Sequence, residues 1–133
     1  VVLGVVILDI PLLWTRLPLT FLAVVAGTAG WFFFLAIFAL RIRRNDMFNT
    51  VINVAYFLLM FASSMFYPLD GLPAWLRAAS IVNPMTWHTD VLRYATIGTG
   101  DPSTVAWEVF AFSCFLAAAF AGAVVTLRRG ILR

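Results

Sequence analysis

Lysine is absent from this chain of 133 residues, and histidine and cysteine occur once each, as His88 and Cys114. Without lysine, a phosphate-binding loop of the form G-x-x-x-x-G-K-[ST] cannot be built, and Schiff-base chemistry at a lysine amine is excluded. One cysteine closes no internal disulfide. One cysteine with one histidine cannot assemble the usual zinc sites either, so no metal is expected. Charge is scarce as well. Charged residues make up 11% of the chain and hydrophobic ones 63%, against about 25% and about 45–50% in soluble domains. With a mean hydropathy of +0.99, the composition belongs in a membrane, and the length is that of a single domain.

The formal charge of +3 comes from nine arginines. A pI near 9.8 would raise nucleic acid as a partner of a soluble protein. Here the arginines flank hydrophobic runs and form no basic stripe interleaved with aromatics, so no nucleic-acid partner is expected. The opening VVLGVVILDIP has no methionine, basic leader or cleavage site. It reads as a chain entered inside a hydrophobic segment, a fragment of a longer protein.

A membrane-crossing helix needs about 20 largely apolar residues. Segments 18–40, 48–67 and 105–127 meet that length, and 1–13 reads as a partial span. The second carries Asn49, Asn53, Ser63 and Ser64, and the third carries Glu108 near its start. Ala26 and Gly30, Ala118 and Gly122, and Ala119 and Ala123 stand four apart, a spacing of small residues that lets helix backbones approach closely in lipid. The expected fold is an all-α membrane protein, a polytopic bundle of transmembrane helices forming one domain over 1–133.

Arginines orient the bundle. Arg41, Arg43 and Arg44 lie in one short connection, and Arg128, Arg129 and Arg133 in the tail. Two crossings separate the groups, so they share a side, which the positive-inside rule makes cytoplasmic. The connection from Arg41 to Asp46 and the C-terminus are thus expected in the cytoplasm, with the chain multi-pass in the cytoplasmic (inner) membrane. Arg16, Arg77 and Arg93 fall on the other side.

Between the last two spans runs FYPLDGLPAWLRAASIVNPMTWHTDVLR, from Phe66 to Arg93. Pro73 and Pro84 suit the first turn of a helix, Asn83 suits its cap, and Gly98 the position past its end. The spacing predicts short helices over 73–82 and 84–97, neither long enough to span, lying in the interface or re-entering the membrane between shielding protein. In the first, Trp75, Leu76, Ala79 and Val82 share a face opposite Arg77 and Ser80. In the second, Thr86, Thr89, Asp90, Arg93 and Thr96 share a polar arc, and Asp90 and Arg93 are spaced to pair. His88 and Asp90, two apart, diverge, so His88 is expected as a packed interfacial residue rather than a catalyst. Glu108 is expected to reach interfacial water or pair with Arg77 or Arg93. The other reading of it is a place on a substrate path, since ionisable groups at membrane depth suggest function. Asn49 and Asn53 are expected to bond to a neighbouring helix; with Ser63, Ser64 and Glu108 they are also the candidate pathway-lining residues.

The stretch SSMFYPLDGLPAWLRAASIVNPMTWHTDVLRYATIG resembles the permeases of type-2 ATP-binding-cassette transporters, the exporter group that includes drug, polysaccharide and nodulation-factor exporters. The resemblance rests on Ser64, Phe66, Pro68, Leu69, Asp70, Leu72, Pro73, Trp75 and Leu76, then Asn83, Pro84, Met85, Thr86, Asp90 and Arg93. Met85 stands where leucine is usual. It covers roughly residues 20–133, the C-terminal half of such a permease. It implies an external hairpin carrying Pro68, Asp70, Pro73, Trp75, Asn83, Pro84, Asp90 and Arg93. It also implies an ATP-binding subunit as partner, which holds ATP and Mg so that this chain carries no cofactor, and a second permease copy in contact with membrane lipid. It places most of the coupling surface before Val1. Two alternatives stay open: a membrane-embedded enzyme using His88, Asp90 and Glu108, and a non-transporting anchor or assembly protein.

Overall fold

The computed structural model describes residues 13–42, 44–66 and 71–131. The partial span expected over 1–13, apart from Leu13, and the expectations for Arg43, Pro68, Leu69, Asp70 and Arg133 fall outside them. Five α-helices follow a 3-10 turn at Trp14–Arg16: α1 Leu17–Ala39, α2 Asn45–Phe61, α3 Ala74–Ile81, α4 Pro84–Ile97 and α5 Pro102–Ile131. No strand occurs among the described residues. The protein is all-α and membrane-embedded.

Two of these helices are long and apolar enough to cross a bilayer, residues 14–39 and 102–130. Pro18 sits in the first turn of α1, where its missing N–H would have no partner anyway. Asp101 opens α5: its carboxylate accepts from the Thr104 N–H at 3.0 Å and from the Ser103 hydroxyl. These bonds hold its carboxyl below the usual carboxylate range. Arg128 and Arg129 close α5, where cations complement the helix dipole.

Packing between α1 and α5 is that of helices in lipid. Apart from Phe112, the buried apolar residues between these helices are small, including Ala23, Ala111, Ala119 and Ala123, while Phe21, Phe32, Trp107 and Phe110 are exposed. A soluble core would reverse this; in lipid the large apolar side chains need no cover, and small ones set the helix approach. Gly30 lies against the rings of Phe112 and Phe115, and Gly122 against Ile37. Trp31 meets Phe115 at 5.4 Å between centroids, and Phe33 meets Phe120 at 5.0 Å. Residue numbers rise together along both helices, so α1 and α5 run parallel. Leu40 and Leu127 line one cavity at their far ends, which puts Arg41 and Arg128 at the same end of the bundle.

The span expected over 48–67 differs. Helix α2 starts earlier, at Asn45, and stops at Phe61 after 17 residues. At 1.5 Å per residue it is about 25 Å long, short of a hydrocarbon core of about 30 Å. Its start is polar: Arg44 pairs with Asp46 at 2.8 Å, which holds the Asp46 carboxyl below its usual range. Its end is a break at Ala62, Ser63 and Ser64. The Ser63 hydroxyl donates to the Met60 carbonyl at 2.7 Å and accepts from the Met65 N–H at 3.3 Å. Serine side chains that bond nearby backbone in this way compete with the helical ladder.

Candidate functional site: a hairpin docked inside the bundle

Helix α4 lies antiparallel to both long helices. The Leu13 N–H donates to the Thr96 carbonyl at 3.0 Å. Arg16 donates to the Tyr94 carbonyl at 3.2 Å, with its guanidinium over the Tyr94 ring. Fifteen residues further along α1, Trp31 lines a cavity with Met85, at the other end of α4. That offset corresponds to about 22 Å of helix. The hairpin therefore runs down into the height of the bundle rather than lying across its top. That depth alongside α1 is the geometry of the re-entrant alternative.

Backbone chemistry explains how it stays there. Non-helical backbone at membrane depth must be satisfied by protein, and the break after Phe61 leaves carbonyls and amides without ladder partners. The hairpin supplies them. The Asn83 side-chain amide donates to the Leu59 carbonyl at 2.7 Å and to the Ala62 carbonyl at 3.0 Å. Its oxygen caps α4 by accepting from the Met85 N–H at 3.0 Å. Ser80 donates to the Ala62 carbonyl at 2.7 Å. Further along α4, Thr86 accepts from the Ser64 N–H at 3.3 Å, Asp90 accepts from the Ser64 hydroxyl at 2.8 Å, and Arg93 donates to the Met65 carbonyl at 3.1 Å. Thr86, Asp90 and Arg93 are spaced by four and three, one helical face. The polar arc faces the broken segment 62–65.

The apolar face of α3 points outward: Ser80, on the side opposite it, is fully buried, whereas Trp75 is 72% and Val82 68% exposed. In lipid the apolar face can point outward, and the residue that must be covered is the one bonded to backbone. Pro73 is the N-cap of α3, and the Trp87 indole N–H ties α4 to the Ile81 carbonyl at 2.7 Å. Gly98 ends α4 in the left-handed region at φ 76°, as the sequence predicts.

The other candidate residues divide. Asp90 and Arg93 pair at 3.1 Å, as their spacing predicts. His88 packs between the long helices: its ring stacks on Phe112 at 5.2 Å and its Nε2 points at Gly27. His88 does not join Asp90. Glu108 does: it is 6% exposed, with the Asp90 carboxyl in hydrogen-bonding reach. Its expected access to interfacial water is therefore wrong, and so is a pairing with Arg93, which is held by Asp90 and Met65. Asn49 and Asn53 are exposed and bond to no neighbouring helix, because α2 stands off α1. Asn53 instead lines a cavity of about 280 Å³ with Trp31, Phe34 and Met85. Ser63 and Ser64 lie buried in the break. Arg41, Arg44, Arg128 and Arg129 are exposed at the end away from the turn at Trp14–Arg16. Among the described residues no group of three or more His, Cys, Asp or Glu is placed to hold a metal ion.

Gly27 and the turn after Phe61 are what sequence reasoning missed. Gly27 stands three before Gly30 and carries no signal beyond being small. Ser63 and Ser64, buried and bonded to backbone, marked the turn without proline or glycine.

Residues 1–97 match the model of a protein family described as ABC-2 type transporter. The match ends with α4 and takes in N-terminal residues that the resemblance read from the sequence leaves out. No curated protein and no solved structure matches the chain.

Proposed function

The chain belongs to the ABC-2 type transporter family, and on that premise we propose that it is the permease part of an ATP-driven exporter in the cytoplasmic membrane. ATP and Mg are bound by a separate ATP-binding subunit, and a second permease copy, identical or related, completes the path. The helices contact lipid and lower substrate, a drug, lipid or glycan, across the barrier without covalent chemistry. Closure of the ATP-binding partner shifts the equilibrium between states of different substrate affinity. The connection from Arg41 to Asp46 and the C-terminus face the cytoplasm, and α3 and α4 control the external opening.

One observation carries this reading: the hairpin is held to segment 62–65 by directed hydrogen bonds, donated by Ser80, Asn83 and Arg93 and accepted by Thr86 and Asp90. Such bonds have defined alternatives, so an element held by them can switch between discrete positions. The test is co-purification of the complete permease with an ATP-binding-cassette subunit, then reconstitution in vesicles. The expected result is ATPase activity stimulated by a transported compound. A permease that binds no such subunit overturns the proposal.

A further inference from the structure

Glu108 is 6% exposed on α5, and its Oε2 has no hydrogen-bond partner among the described residues. The side chain in hydrogen-bonding reach of its carboxyl is that of Asp90, on α4. Asp90 already uses Oδ1 to accept from Ser64 at 2.8 Å and from Arg93 at 3.1 Å. An ionised carboxylate only accepts hydrogen bonds. Hydrogen-bonding contact between the buried Glu108 carboxyl and the Asp90 carboxylate therefore needs a proton on one of them, as in any pair of carboxylates sharing a site.

The neighbours decide where that proton sits. Asp90 receives two donors, one of them a guanidinium, which stabilise its anion. Glu108 lies beside Val105, Ala111 and Phe112 of its own helix, all buried and apolar, where an unpaired charge is costly. The helices packed on α5 are α1 and α4. Helix α1 carries no ionisable side chain. On α4, His88 is turned to Gly27 and Phe112, Tyr94 lies under Arg16, and Arg93 is engaged by Asp90 and the Met65 carbonyl. Just before α5, Asp101 is occupied by Ser103 and Thr104, and the arginines of α5, Arg128 and Arg129, lie at its far end.

We propose that Asp90 and Glu108 form a one-proton binding site that joins α4 to α5, with the proton carried by Glu108. The O–H of Glu108 donates to the Asp90 carboxylate, and its release leaves two like charges across the interface. The docked hairpin thus binds a proton that the undocked hairpin gives up. By linkage, docking weakens as pH rises. This goes beyond the export reading and does not depend on it, because the proton is detected without transport.

Infrared spectroscopy of the full permease in lipid, over a series of pH values, tests the site with wild type, Glu108→Gln and Asp90→Asn. Wild type is expected to show a protonated-carboxyl C=O band at neutral pH that disappears at alkaline pH and is missing from Glu108→Gln. Asp90→Asn removes both the like charge and the anionic acceptor that hold the proton on Glu108, so its band should be lost at lower pH than in wild type. Glu108→Gln keeps the size and a donor toward Asp90, and Asp90→Asn reports independently should that variant fail to fold. No wild-type band at neutral pH, a band retained in Glu108→Gln, or an Asp90→Asn titration that coincides with or exceeds the wild type overturns the site.

Discussion

The side-chain amide of Asn83 donates to the carbonyl of Leu59 at 2.7 Å, joining the start of α4 to the end of α2. The same side chain caps α4 through the Met85 N–H. Asn83→Asp keeps the cap acceptor and removes both donors, leaving the Leu59 carbonyl without its partner. A stranded buried polar group costs about 1–3 kcal/mol, so thermal unfolding of the solubilised protein should report a loss of that order. Asn83→Asp with wild-type stability would show that the hairpin is held by something else.

Gly27 admits α4 against α1, since a Cβ there would overlap the His88 ring. Gly27→Ala overpacks this contact, and overpacking typically costs about 1–3 kcal/mol. His88→Ala in the same chain should recover part of the loss, because the clash is between these two side chains. Stability of the double variant equal to the sum of the single losses would contradict the contact.

Orientation can be read by labelling. In a Cys114→Ser background, a cysteine at Thr99, exposed just past the outer end of α4, should react with a membrane-impermeant reagent added outside whole cells. A cysteine at Arg41 should react only after permeabilisation. The reverse pattern would place the hairpin in the cytoplasm.

Much of this arrangement is legible in the residues. Asn83-Pro84 marks the start of α4 and Gly98 its end, because capping and left-handed geometry are local chemistry. The long apolar runs mark α1 and α5. The break after Phe61 is not legible, since Ala62, Ser63 and Ser64 include no proline or glycine and the partners that stabilise it are some twenty residues away. Which face of α3 turns outward is not legible in the sequence either. Lipid reverses the usual inside and outside, so Trp75 can be exposed while Ser80 is buried against the Ala62 carbonyl. Glu108 looked interfacial because its burial depends on α4 packing alongside α5, which no local pattern records.

The export reading requires that the hairpin leave its docked position during the ATP cycle. The Leu13 N–H bonds the Thr96 carbonyl at 3.0 Å, so a Leu13→Cys/Thr96→Cys pair offers a tether across that contact. The decisive measurement is ATP-driven transport by the reconstituted complex with this tether oxidised and then reduced. Transport that stops on oxidation and returns on reduction is the predicted result. Transport that continues unchanged with the tether fully formed would contradict a moving outer hairpin.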